Sequence, residues 1–212
     1  TGLIATDPGD GAATLLFDGR GRNWSPQLLD AAEVPSALMP QVRPSSAPAG
    51  ELTREAAEAT GLPVQALVVT GTADTAASLL GAGIVDADTL LLSLSTGAQV
   101  MTPSEVFAPD ESGRTHTFCS ALEPGTGNPG WYQMGATLVA GMAMRWLRDE
   151  VLRLPTAGAY ERMTALAEQS PIGARGALFL PYLVGERTPH MDAAARGAFL
   201  GLTSQHESGD LV

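Results

Sequence analysis

Short continuous apolar runs bounded by Gly, Asp or Pro alternate along this chain with segments whose apolar positions recur every three or four residues. That is the pattern of strands alternating with helices. The clearest passage is Leu67–Val100. Leu67–Thr70 and Leu90–Leu94 read as buried strands, Gly71 as a tight turn, Asp74 as the opening of a short helix of small residues, and Ser95-Thr96-Gly97 as the turn that follows. Upstream, Ala13–Phe17 predicts a strand that Asp18-Gly19-Arg20-Gly21 turns toward Asn23-Trp24 as a hairpin. Ser25-Pro26 supplies the N-cap and first position of a helix through Leu28 and Leu29. Thr53 caps another, which Gly61 ends with Pro63 just beyond. Val42–Gly50 reads as a loop within a domain, with a Pro-rich linker as the alternative.

Further on, Thr115–Ala121 predicts a strand and Glu123–Gly130 a loop. The longest predicted helix runs from Gly135 to Leu154, where Leu138, Val139, Met142, Ala143, Trp146, Leu147, Val151 and Leu154 recur at helical spacing. Arg145, Arg148 and Arg153 fall off that stripe, and its Met and Trp residues read as core. Tyr160–Glu168 predicts another helix, with Tyr160, Met163, Leu166 and Ala167 on one face. Ala177–Leu183 then reads as a buried strand that runs into the loop Val184–Arg196. Glu186, Arg187, His190, Asp192 and Arg196 on that loop either line a cleft or form a solvated loop with internal ion pairs.

With 212 residues, 44% of them hydrophobic, the chain can bury a substantial core in one large domain or parts of two. A net charge of −11 argues against nonspecific binding to nucleic acid or an anionic membrane, both of which need a basic face. All twelve cationic residues are Arg. Without Lys there is no Walker-A phosphate loop and no Schiff-base chemistry. Cys119 is the one cysteine, so no disulfide framework exists and a reducing compartment is the default. No apolar run approaches the roughly 18 residues of a spanning helix, and the chain reads as cytoplasmic. Thr1 is not a start residue and Asp210-Leu211-Val212 falls at what reads as the opening of a helix, so the chain is expected to be part of a longer protein.

The candidate chemistry lies in the Leu67–Val100 passage. A carboxylate at the head of a helix, Asp74, can take the proton of an acceptor hydroxyl, while backbone N–H groups and a Thr hydroxyl in Ser95-Thr96-Gly97 hold a donor's phosphates. The same residues also suit an N-cap and a plain hairpin turn. Gly125–Gly130 matches GxGxxG, with Asp149 roughly twenty residues on as a dinucleotide site would have it. Pro129 removes a needed N–H, however, and Asp149 falls inside the predicted helix. His116 and Cys119, three apart on a strand, point to opposite faces. Glu186 and His190 have helical spacing, but Pro189 disfavours a helix between them. Three histidines in all argue against a histidine-rich metal centre.

Gly71–Ala77 (GTADTAA), Ser93–Val100 (SLSTGAQV), Trp131–Leu147 and above all Phe179–Leu202 (FLPYLVGERTPHMDAAARGAFLGL) resemble the FGGY carbohydrate kinases. The stretch Thr14–Asp30 is similar to that family's strand, turn, Trp-Ser and helix ahead of its catalytic Asp. The resemblance implies an α/β, actin-like ATPase fold with ribonuclease-H-like domains and a cleft between them. Residues 1–85 would be the end of the N-terminal, sugar-binding domain and 86–212 the start of the C-terminal, ATP-binding domain. Asp74 would be the general base and, with Thr75, would contact the sugar. Ser95, Thr96 and Gly97 would meet the phosphates of ATP, with magnesium carried by ATP and no metal bound directly by side chains. The implied reaction is ATP-dependent phosphorylation of a ketopentose, D-xylulose first, giving D-xylulose 5-phosphate. Ribulose, gluconate or another polyol stays open as substrate, as do a non-catalytic actin-like binding module and a homodimer. This span alone is expected not to turn over.

Overall fold

The computed structural model describes all 212 residues. In chain order the elements are β1 (Ala5–Thr6), α1 (Pro8–Ala12), β2 (Phe17–Asp18), β3 (Asn23–Trp24), α2 (Pro26–Ala31), β4 (Gln41–Val42), β5 (Pro48–Glu51), α3 (Arg54–Thr60) and β6 (Leu67–Val69). They continue with α4 (Asp74–Gly81), β7 (Leu91–Leu94), β8 (Ala98–Ser104), β9 (His116–Cys119), β10 (Trp131–Thr137), α5 (Gly141–Trp146), α6 (Ala159–Ala167), β11 (Leu178–Leu180) and β12 (Ala198–Leu200). A four-stranded sheet has the order β7-β8-β10-β9. β1 pairs with β4 in parallel, while β2–β3, β5–β6 and β11–β12 are antiparallel pairs.

Contacts gather the chain into two units. Thr1–Leu91 and Met101–Met134 form the first; Leu92–Val100 and Gly135–Val212 form the second. In the first, Leu29, Ala76, Leu79, Met101, Cys119 and Tyr132 are buried. The predicted hairpin is present, with Phe17 opposite Trp24. The two helix caps are present as well: Ser25 accepts from the Leu28 N–H, and Thr53 from that of Ala56, with Gly61 left-handed at the other end. Burial also pushes the Cys119 thiol up to about 11, against the opposing pull of Arg22, so this cysteine is a core group.

Several sequence expectations are corrected. Val42–Gly50 is not a plain loop, because β4 and β5 begin and end it; Pro48 opens β5, where its missing N–H is tolerated, and the register shifts at Gly50. The strand expected from Ala13 begins only at Phe17. The Leu67 and Leu90 runs do form strands, but they are not buried: Leu92 is 52% and Leu94 70% exposed, and Leu67 and Val69 also face out. An apolar run shows that a strand is favoured, and burial then depends on whether another layer covers it.

The helix expected from Gly135 begins at Gly141. Trp131–Thr137 is instead a strand whose burial alternates strictly, with Trp131 to Met134 opposite Cys119 to His116. After Trp146 the helix widens into one π turn, Leu147–Val151, closed by the Leu152 N–H on the Leu147 carbonyl. Along the expected stripe Val139 and Leu147 are buried, whereas Val151 is exposed. The second unit's core combines these with Ala136, Ala159 and Met163 and a stack of Trp146 on Phe179 and Phe179 on Phe199. Leu178 of β11 is exposed, again against expectation.

The short 3₁₀ turn Ser208–Leu211 is held on the second unit by Asp210, whose buried carboxylate accepts from the Ser170 hydroxyl, the Glu207 N–H and the Arg175 guanidinium. The Ser170 hydroxyl leads in lowering the Asp210 pKa from 3.8 to about 2. A carboxylate with a depressed folded pKa stabilises the fold above its ordinary pKa and loses that contribution as pH falls through the folded value. In urea unfolding, the stability gap between the natural chain and Asp210→Asn should therefore be constant above 3.8 and narrow as pH approaches about 2. A gap that stays constant through that window would contradict this role.

Candidate functional site

Asp74 is the first residue of α4, after Ala73 at the N-cap position, and it is exposed. The N-cap reading is thereby corrected: no side chain caps this helix, and the Asp74 carboxylate turns to its neighbour instead. Oδ1 accepts from the Thr75 N–H at 2.6 Å and from the Thr75 hydroxyl at 3.1 Å. Oδ2 has no partner in the protein and is free to accept a proton. The helix that carries it is fixed by Ala76 and Leu79, two and five residues after Asp74 and both buried. Tyr132 is buried, and burial raises its pKa against the opposing pull of the Thr75 hydroxyl.

The loop before Asp74 hangs on a residue that sequence reasoning missed. Asp7 is 2% exposed and caps α1, its oxygens taking the N–H groups of Gly9 and Asp10 at 3.0 and 2.9 Å. It also accepts from the Ser45 hydroxyl at 2.7 Å, and the Ser45 carbonyl accepts from the Gly71 N–H at 2.9 Å. Gly9 has to be glycine, since a Cβ there would come within 2.6 Å of the Thr72 hydroxyl oxygen. The signal was present in the sequence: Asp7-Pro8 is the same cap-and-proline pair as Ser25-Pro26.

In the second unit, Ser95, Thr96 and Gly97 form one tight turn between β7 and β8. The Ser95 N–H donates to the Gly97 carbonyl at 2.8 Å. The Ser95 carbonyl accepts from Gly141, and that of Thr96 from Ala140 and Met142, at 2.8–3.0 Å. Gly97 is required because a Cβ would collide with the Thr137 carbonyl. Ser95 is not among the residues with positive φ, so its Cβ fits without backbone strain. The N–H groups of Thr96 and Gly97 donate to nothing in the protein. Arg145 Nη2 donates to the Thr96 hydroxyl oxygen at 3.0 Å.

The charged loop 184–196 has a structural role at Glu186. This residue is 4% exposed, and its Oε1 accepts from the N–H groups of Leu138 at 3.0 Å and Arg187 at 2.7 Å. Its own backbone pairs with Asp192, and Thr188 exchanges two hydrogen bonds with Ala136. His190 meets the Tyr182 hydroxyl at 3.0 Å, and no helix joins it to Glu186.

The GxGxxG run at Gly125–Gly130 lies between the antiparallel strands β9 and β10 and opens no helix, which removes the dinucleotide reading. His116 stacks on Phe118, while Cys119 is fully buried against the Gly19 carbonyl. No group of three or more His, Cys, Asp or Glu side chains is gathered where it could hold a metal ion.

The profile of the N-terminal domain of the FGGY family of carbohydrate kinases matches residues 1–81, and that of the C-terminal domain matches residues 90–212. The chain belongs to the FGGY family of carbohydrate kinases. Among FGGY relatives, the xylulose kinase of Escherichia coli strain K12 is 36% identical over 212 residues, covering 100% of this chain and 42% of that protein. A crystal structure described as a xyloylose kinase from Brucella ovis superposes with a TM-score of 0.87 at 33% identity, covering all of this chain and 42% of that one. A gluconate kinase from Lactobacillus acidophilus gives 0.87 at 26% identity, covering all of this chain and 41% of that one. The chain thus spans about two fifths of the length of its FGGY relatives, and its fold is their α/β, actin-like ATPase fold.

Removing Glu186 takes away the carboxylate that accepts from the part-buried N–H groups of Leu138 and Arg187. Glu186→Ala should lower the free energy of urea unfolding by roughly 1.5–3 kcal/mol, and Glu186→Gln, which keeps an acceptor oxygen, by less. Equal stability of the Ala variant and the natural chain would show that Glu186 does not anchor this segment.

Proposed function

We propose that this chain carries the catalytic base and the phosphate-binding turn of an ATP-dependent sugar kinase, with D-xylulose as acceptor and D-xylulose 5-phosphate as product. The observation that carries the reading is the Asp74 carboxylate: exposed at the head of a buried-face helix, with one oxygen held twice by Thr75 and the other open. Relatives named xylulose kinase, 32–36% identical along this span, support the choice of sugar. The likeness to a gluconate kinase favours gluconate as the second candidate.

In this reading residues 1–85 complete a sugar-binding domain and 86–212 begin an ATP-binding one, a division supported by family profiles that end at 81 and resume at 90. Asp74 and Thr75 contact the sugar. The terminal hydroxyl oxygen of the sugar forms a bond to the γ-phosphorus as the bond from that phosphorus to the bridging oxygen of ADP breaks. Asp74 takes the hydroxyl proton late in that transfer. Ser95, Thr96 and Gly97 hold the phosphates, offering two N–H groups and a hydroxyl. Magnesium arrives on ATP as part of the substrate and offsets phosphate charge, which this Lys-free span does not do with ammonium groups. The reaction belongs in the cytoplasm, where ATP is at hand and a lone thiol stays reduced. No helix is long and apolar enough to cross a membrane.

The test uses the protein as its cell makes it, assayed for ADP release against D-xylulose, ribulose and gluconate. Asp74→Asn should lower kcat by about 10²–10⁴-fold, with Mg-ATP affinity unchanged. Retention of most of the activity would remove Asp74 as the base, and fastest turnover with gluconate would replace xylulose as the substrate.

A further inference from the structure

We infer that Arg145 is a ligand of the ATP polyphosphate, joining the free N–H groups of Thr96 and Gly97 in one anion site. The inference rests on reading Ser95–Gly97 as the phosphate turn, and it names the cation that this turn uses.

Three observations lead there. Every carbonyl of Ser95, Thr96 and Gly97 accepts a hydrogen bond within the protein, whereas the N–H groups of Thr96 and Gly97 have no acceptor. The turn therefore offers donors only, which suits an anion. The Arg145 guanidinium, exposed on α5, donates one of its five N–H groups to the Thr96 hydroxyl oxygen at 3.0 Å. An oxygen that accepts there keeps its own proton for a second acceptor, so Thr96 becomes a donor facing outward and the remaining guanidinium N–H groups stand beside it.

The third observation is charge. A triphosphate is strongly anionic, the chain carries a net −11, and it has no Lys to help. Asp149, one helical turn beyond Arg145, makes no bond to it: Arg148 holds that carboxylate through two bonds at 2.6 and 2.8 Å, and the charge of Arg145 acts on it more weakly than that of Arg148. A cation in the last turn of a helix is also favoured by the helix dipole. That accounts for a positive residue on α5, but not for a head group that reaches across to Thr96.

The experiment measures Mg-ATP, Mg-ADP and AMP binding by calorimetry on the protein as its cell makes it, for Arg145→Gln, Arg145→Lys and Thr96→Val. Gln keeps a donor for Thr96 and loses the charge. Arg145→Gln should weaken Mg-ATP by about tenfold or more, the usual effect of losing a charge-assisted bond, while AMP, which lacks the outer phosphates, binds as before. Arg145→Lys should recover part of the loss. Full ATP affinity in Arg145→Gln, or an equal loss for ATP and AMP, would overturn the inference, because the arginine would then only brace the turn. If Thr96→Val weakens ATP and Arg145→Gln does not, this inference alone fails; if neither does, the phosphate-turn reading fails with it.

Discussion

The second unit depends on one stretch of backbone, Ala136–Met142, whose polar groups are engaged from two sides. On one side Glu186 takes the Leu138 N–H and Thr188 exchanges two bonds with Ala136. On the other, the carbonyls of Ser95 and Thr96 take the N–H groups of Ala140, Gly141 and Met142, and the Thr137 hydroxyl takes that of Ala98. A buried carboxylate without partners would be costly, and buried N–H groups without acceptors equally so. Each therefore fixes the other. The consequence for function is indirect: a charged loop far along the chain braces the strand end on which the Ser95–Gly97 turn rests.

The first unit uses the same device on a smaller scale. Asp7, buried and fully engaged by backbone and Ser45, sets Ser45, and Ser45 sets Gly71, three residues before Asp74. Small residues let the parts approach closely, with Gly9 against Thr72 and Ala76 packed under the helix. The polar groups that do the anchoring are buried, and those that can meet a ligand are exposed. Asp74 is held through one oxygen and open through the other, which fits a base that must keep its orientation and still accept a proton.

What could be read from the sequence was local chemistry. Ser25-Pro26, Thr53 with Gly61, and the Asp18–Gly21 turn each specify their structure within a few residues, and each is found as expected. The family resemblance also led to the right fold. Burial was harder to read. The Leu90–Leu94 run looks like a core strand, yet it lies exposed, because apolar composition does not say which layer covers a strand. Around Gly135 the pairing of Trp131–Met134 with His116–Cys119 overrode a helical periodicity that began too early. The Asp7-Pro8 pair marks a helix cap, but the further roles of Asp7 and Glu186 as anchors rest on partners 38 and 48 residues away, beyond the reach of any local motif.

The phosphate turn can be tested at its own atoms. Backbone amide spectra recorded while Mg-ATP is added should show the Thr96 and Gly97 signals moving most, since their N–H groups are unengaged, with those of Ala140, Gly141 and Met142 moving less because their bonds are already made. Saturable binding of Mg-ATP that leaves the Thr96 and Gly97 signals in place would contradict it.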